Sequence, residues 1–316
     1  MARAQGARAQ MALAFESVYG TPPPAGDYFK IPFTSSNLGS EQQLLASDVL
    51  GLGRDPAAPV ADAINADGDV GIPLDLRALG IWLKALFGGP VSTGTGPYVH
   101  TYQSGAWTLP SFAVEVGNPD VPSFRMMSGC VANSFALTMA RSGLIGATVN
   151  VISQGEAPTS VSAAGALTEM AFQRFGAFQG QVKRNGVSLG SVTGAQLTYS
   201  NNLDRVETIR ADGKIDGADP GIASLTGSID VRFADTVLLD QAVSGLPCEM
   251  EFGYTIGASA SLKFVAHDVY LPRPKLPLTG PAGVQATFNW QAAKDLGVGR
   301  MLTVTLTNDV ADYNNP

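Results

Sequence analysis

Val131-Ala-Asn-Ser-Phe135-Ala-Leu137-Thr-Met139-Ala140 returns in pattern as Val284-Gln-Ala-Thr-Phe288-Asn-Trp290-Gln-Ala292-Ala293. Val131 answers Val284, Phe135 answers Phe288, Leu137 answers Trp290 and Ala140 answers Ala293. Without a gap, Ile145-Gly146 then meets Val298-Gly299, and Val149 and Val151 meet Leu302 and Val304. Each pair is separated by the same 153 positions (284 − 131 = 304 − 151 = 153). A constant offset across a strand, a glycine turn and a second strand reads as duplication of a β-rich unit, and such repeats decide an architecture before single elements do.

Outward from that repeat, the chain divides into an N-terminal arm (1–28), a first unit (29–160), a linker with the first strand of the next unit (161–180) and a second unit (181–316). The arm holds a strand-like Met11–Tyr19 and a Gly20-Thr-Pro-Pro-Pro stretch that must leave any sheet. Ser36-Asn37-Leu38 in the first unit has a counterpart in Asn201-Asn-Leu203 in the second. Each is followed by an excursion rich in acid and glycine, Asp48–Pro56 and Asp212–Gly221, because glycine supplies positive φ and Asp bonds its own backbone. Each unit returns through a strand, Asp69–Leu74 or Gly227–Phe233, into a helix. Asp75 is expected to cap Leu76, Leu79, Leu83 and Leu86, with Gly88 as the stop. Asp235 is expected to cap Leu238, Leu239 and Ala242, with Gly245 and Pro247 ending that helix. Proline loops (Pro119, Pro122; Pro272, Pro274, Pro277, Pro281) precede the repeated strands, and Asn185-Gly186 marks a hairpin opening the second unit.

Composition narrows the class. With 316 residues and 45% hydrophobic content, two cores of ordinary size can be filled. Charged residues are only 15%, so Ser, Thr, Asn and Gln must carry much of the polar surface. A net charge of −7 opposes a sequence-reading nucleic-acid binder, which needs a basic face, yet suits a surface past which DNA must slide. Cys130 and Cys248 give neither a disulfide framework nor metal spacing and read as small buried residues. The apolar run Met11–Phe15 is too short for a signal peptide and no stretch approaches a membrane span, so a reducing, cytoplasm-like setting is expected.

Catalytic signatures are missing: there is no Gly-x-Ser-x-Gly elbow, phosphate loop or Cys-x-x-Cys. His100 and His267 lie in different units without ligand spacing, and the acids of 65–69 and 212–219 lack an EF-hand arrangement, so turn formation explains them. No enzyme activity and no cofactor are expected. In the second repeat copy, Val284, Ala286, Phe288, Trp290 and Ala292 share a core face, while Gln285, Thr287, Asn289 and Gln291 share the other. Leu302, Val304 and Leu306 oppose Thr303, Thr305 and Thr307 likewise; the first copy offers Ala132, Ser134, Ala136 and Thr138. A polar face without charge fits an ordinary solvated sheet or a wet cavity or channel wall.

Met1-Ala-Arg-Ala-Gln-Gly-Ala, the run Glu207–Gly221, Gly227-Ser-Ile-Asp-Val-Arg-Phe-Ala-Asp235 and the duplicated strands together resemble the tail tube (major tail) proteins of long, non-contractile-tailed (siphophage-like) bacteriophages. The resemblance spans nearly the whole chain and implies two β-sandwich or barrel-like tube domains, each flanked by a short helix. It further implies self-assembly into rings with a continuous inner β-barrel, three copies giving six tube domains, stacked into a tube in the virion tail. The tube would be assembled in the host bacterial cytoplasm, away from any membrane. DNA would be transient cargo, and the tape measure, terminator and distal tail proteins would be partners. On this reading Gln285, Thr287, Asn289, Gln291, Thr303 and Thr305 face the channel. Asp48, Arg54 and Asp55, with Asp212, Lys214, Asp216 and Asp219, and the N-terminal arm make ring contacts, so a chain lacking Met1–Gly20 should fold but stack poorly. The alternative is a carbohydrate-binding or capsid-decoration β-sandwich, which would expose aromatic residues as a platform.

Overall fold

The computed structural model describes residues 3–51, 53–276 and 283–314. The chain is mainly β. β1 (Gln10–Phe15), the short β2 (Phe29–Lys30) and β3 (Ser35–Ser36), β4 (Gly39–Leu45) and the long β5 (Val60–Pro73) lead to helix α1 (Leu79–Phe87). β6 (Val91–Thr93), β7 (Tyr98–Gln103), β8 (Phe112–Asn118), β9 (Ser123–Ala140), β10 (Gly146–Ile152) and β11 (Gly155–Thr159) follow. The second half holds β12 (Gly180–Arg184), β13 (Val187–Ser188), β14 (Val192–Ser200), β15 (Asp204–Val206), β16 (Gly217–Asp219) and β17 (Ser224–Arg232). Helix α2 (Val237–Ser244), β18 (Cys248–Gly257), β19 (Ala260–Tyr270), β20 (Gln285–Ala293) and β21 (Leu302–Asn308) complete it.

One wall is a run of seven strands in the order β4-β5-β10-β9-β14-β17-β20, each antiparallel to the next. Its central strand, β9, changes partners midway. Ser123–Cys130 pairs with β8 and β11, and Val131–Ala140 pairs with β10 and β14. The bend falls at Gly129, where φ is +60° and an added Cβ would lie 2.8 Å from the Gln154 side chain, so only glycine fits. Behind the wall lies a second layer of β12, β18, β19, β21 and β7. Alternation explains the packing between them: Phe135 of the wall stacks on Phe264 of β19 at 5.7 Å, and Trp290 on Phe252 at 5.4 Å.

Helix α1 is buried along its whole length. The Asp75 carboxylate accepts the N–H groups of Arg77 (3.0 Å) and Ala78 (2.7 Å), capping the turn before Leu79, and Gly88 closes the helix. Its cover comes from both halves of the chain: Phe112 packs edge-on against Trp82 at 6.1 Å and Tyr102 OH donates to Gly80 O (3.0 Å) from the first, and the second covers the helix ends. Tyr199 packs on Phe87 at 4.7 Å, and Asn201 Nδ2 donates to Leu86 O (3.1 Å) and Ala132 O (3.0 Å). Tyr313 lies so close to Gly80 that a Cβ there would sit 2.2 Å from its ring. Helix α2 instead buries only Leu238, Gln241 and Ala242; Asp235 Oδ1 accepts Val237 N–H (3.1 Å) and Gly245 ends the helix in the left-handed region. Asn185 and Gly186 both take positive φ between β12 and β13, as the hairpin reading required.

Four expectations are corrected. The repeated stretches do not occupy equivalent positions: β9 and β10 pair with each other, whereas β20 joins β17 and the end of β19, and β21 lies between β19 and β7. By pairing, β20 corresponds to β10, with Gln285 against Arg232 and Gly146 against Pro73, an offset of 139 (285 − 146). Apolar alternation is shared by neighbouring strands, so it cannot tell one strand from the next. Secondly, a bulge at Asn133, where Ser134 pairs with Asn150 but Ala132 with Val151, turns Ala132 into the core. Thirdly, β1 is no arm: it pairs with β8 along its length and with β2, and Met11–Ala14 are buried. Lastly, residues 161–180 are tied down. Buried Glu115 accepts Ser162 Oγ (2.6 Å) and the N–H of Ala163 (2.6 Å), and Phe175 N–H reaches Leu74 O (3.0 Å). Pro277 and Pro281, expected in a loop, and Leu52, within the first excursion, lie outside the described residues.

Removing residues 1–9 should leave the thermal midpoint within a few degrees, whereas removing 1–15 should abolish the cooperative transition, since it deletes a buried strand. Calorimetry of the two truncations decides; equal melting would contradict the placement of β1. Asn201→Leu should cost about 2–3 kcal/mol in urea unfolding, because two buried carbonyls lose their donor. A loss under about 0.5 kcal/mol, the usual scale of a surface change, would remove Asn201 from the joint.

Candidate functional site: a polar face across one sheet

β20 alternates cleanly: Ala286, Phe288 and Trp290 are buried, and Gln285, Thr287, Asn289 and Gln291 are exposed. Cross-strand register carries that exposed face through the wall. Gln291 stands opposite Thr226, then Thr198, Ala136, Thr148 and Gly71 on successive strands. A parallel row runs Asn289, Ser228, Gln196 and Thr138, and another runs Ser224, Ser200, Ser134, Asn150 and Asp69. Four of the channel-facing expectations, Gln285, Thr287, Asn289 and Gln291, therefore lie together, joined by Ser134, Ala136 and Thr138. These residues are far apart in sequence and meet only through pairing.

Charge is sparse on this face. Among the described residues of these rows and the adjoining Thr287 and Gln285 pairs, the ionisable side chains are Asp69, Asp230 and Arg232. Asp230 Oδ1 accepts Thr287 Oγ1 at 2.6 Å, and Asp69 Oδ1 accepts Asn150 Nδ2 at 2.8 Å. Asp69, Asn150, Asp230 and Gln196 belong to the face but carry no signal that separates them from turn or surface residues in sequence.

Thr303 and Thr305 do not join it. They sit on β21, opposite Val265 and Lys263 of β19 and Gln103 and Thr101 of β7, and Thr303 Oγ1 is 2.8 Å from His267 Nε2. The alternation on β21 is real, but its sheet neighbours are others. The contact-loop candidates also divide. Asp48, Arg54 and Asp55 lie exposed between β4 and β5. Asp212 and Asp216 are both held by Arg210, through contacts of 2.9 Å and 2.7 Å, and the Arg210 hydrogen bond pulls the Asp212 pKa down to about 2. That excursion folds back on the first half: Gly213 O accepts Ile64 N–H (2.9 Å), Arg205 pairs with Asp67, and the Lys214 stem lies over Gly155. Asp219 belongs to the small β15–β16 ribbon.

Both cysteines are buried and free, and burial raises both thiols. His100 is buried between Ser92 Oγ (2.8 Å) and Val310 O (2.8 Å), and desolvation lowers its pKa. Among the described residues, no group of three or more His, Cys, Asp or Glu side chains is placed to hold a metal. No helix there is long and apolar enough to cross a membrane. Phe135, Phe288 and Trp290 are buried, so they offer no aromatic platform for a sugar.

A polar face with few charges, spread over six strands (β5, β10, β9, β14, β17 and β20), is a wall rather than a pocket. A family model described as a phage tail tube protein matches residues 6–292. The chain belongs to that family. No curated protein matches it. As a tail tube protein it is a structural component of the virion tail, with self-association the family's mode of action.

Asn289→Leu and Thr148→Leu should each change folding stability by no more than about 0.5 kcal/mol, because both side chains are exposed. Phe288→Ala, one residue away on the buried face, should cost about 3–5 kcal/mol. Urea unfolding of the three variants checks this. Comparable losses at Asn289 and Phe288 would mean that the polar face is packed against something within the chain.

Proposed function

We propose that this chain is the repeating subunit of a long, non-contractile tail tube, in which the seven-strand wall turns its polar face to the channel. The observation that carries this is the continuity of that face from Asp69 to Gln291 across both halves of the chain. The two halves act as copies of one tube domain. Each has a hairpin entering the wall, a strand leading to a helix, and a further hairpin whose second strand joins the wall (β8–β9 and β18–β19). Three chains then supply six tube domains and close a ring, and rings stack into a tube through which DNA passes during ejection.

Physical chemistry supports each part. Sheet edges left open at β4 and β20 expose unpaired N–H and C=O groups, and closure into a ring removes them. A channel lined by Thr, Ser, Asn and Gln stays wet, while Asp69 and Asp230 disfavour phosphate binding that would stall DNA. Gln285, Thr287, Asn289 and Gln291 are thus lumen residues, and the exposed Asp48, Arg54 and Asp55 belong to the ring-contact loop. A terminator, a distal tail protein and a tape measure would meet the tube at its ends and in its lumen.

Negative-stain microscopy with mass photometry over a concentration series tests the proposal. Hollow rings or tubes whose smallest closed species is a trimer are expected. Six-chain rings would contradict the two-domain assignment, and compact monomers that never form tubes, even with the tail initiator present, would contradict the function.

A further inference from the structure

We infer that the joint between the two halves of the chain is the template for the joint between successive chains, and that Leu271–Leu276 supplies the missing strand of that second joint. This rests on the ring reading above and adds which edges meet, in which direction and register.

Strand direction poses the problem. The wall has seven strands, all neighbours antiparallel, so its outermost strands β4 and β20 run the same way. In a ring with one rotation axis every chain has the same orientation. β20 set directly against the next chain's β4 would therefore pair parallel, unlike every other step of the wall. One more strand restores the alternation.

The first half indicates where it comes from. There, β9 passes Val131 opposite Ile152 and runs on to Ala140, filling the gap between β10 and β14. In the second half, β19 reaches the same point with Tyr270 opposite Gln291, at the same offset of 139 (270 − 131 = 291 − 152), and its ladder stops there. Leu271–Leu276 thus leaves β19 at the point where β9 enters the wall. By the offset of 139, Arg273 and Lys275 take the places of Ser134 and Ala136 and keep the N–H groups that face β20. Pro272 and Pro274 take the places of Asn133 and Phe135 and offer the next chain's edge their carbonyls alone, as Asn133 O accepts Asn201 N–H within the chain.

Register and charge agree. The edge equivalent to β14 is offset by 159, since Ala195 pairs with Ile229 as Ser36 pairs with Val70 (195 − 36 = 229 − 70). Within the chain Ser134 faces Ser200. Transferred by these offsets, Arg273 (134 + 139) faces Glu41 (200 − 159) of the next chain, a cation against an acid, both exposed.

The test is a disulfide pair in assembled tubes. Arg273→Cys with Glu41→Cys should form chain-to-chain disulfides under mild oxidation, giving covalent dimers and closed trimers on a denaturing gel. Neither single variant should do so, and Arg273→Cys with Leu45→Cys, out of register, should not either. Arg273→Glu should reduce tube yield, and adding Glu41→Arg should recover it. Tubes visible by microscopy without the 273–41 cross-link would overturn this inference while leaving the ring reading intact. Folded protein that forms no tubes in any variant, the wild type included, would overturn both.

Discussion

The structure depends on one hydrogen-bonded ladder, the pairing of β9 with β14 from Ser134–Ser200 to Ala140–Gly194. It joins the two halves within the wall, as the pairing of β21 with β7 joins them in the second layer, and most other features follow from it. Without the ladder, the exposed rows would be two separate patches. Helix α1 would lose the Tyr199 and Asn201 contacts that bury its C-terminal end. An Asn at 4% exposure is costly unless its amide is fully used, and here it donates to two carbonyls and accepts from Tyr199 OH at 2.9 Å. The joint is thus specified by geometry and by polar satisfaction together.

Much of the wall is legible in sequence because one face is buried and the other wet. The alternation Ala286, Phe288, Trp290 against Gln285, Thr287, Asn289 could be read directly, and so could the Asn-Gly hairpin and the Asp75 cap. The misreadings have physical causes. Alternation has a period of two residues and says nothing about which strand lies alongside, so the repeat pattern aligns β9 with β20, and Thr303 and Thr305 share the alternation of β20 without sharing its sheet neighbours. A single bulged residue, Asn133, reverses the face of Ala132 without leaving a compositional mark. The run Met11-Ala-Leu-Ala-Phe15 does signal a strand buried on both faces, but the glycine and proline that follow it suggested an arm.

The acid-rich excursions show a different limit. Asp and Gly made the turns predictable, yet the function of the second excursion depends on contacts across the chain, Gly213 with Ile64 and Arg205 with Asp67. It fastens one half to the other. The first excursion is also rich in Asp and Gly, yet its Asp48, Arg54 and Asp55 stay exposed between β4 and β5. A net charge of −7 and few cations on the wall complete a surface that repels a polyanion and stays solvated.

The most direct test of the central claim is a cryo-electron microscopy reconstruction of assembled tubes at side-chain resolution. The account predicts a continuous inner sheet in which Thr148, Thr198, Asn289 and Gln291 line the lumen, with Phe135, Phe288 and Trp290 behind them. Those polar side chains on the outer surface of the tube, or buried between rings, would contradict it.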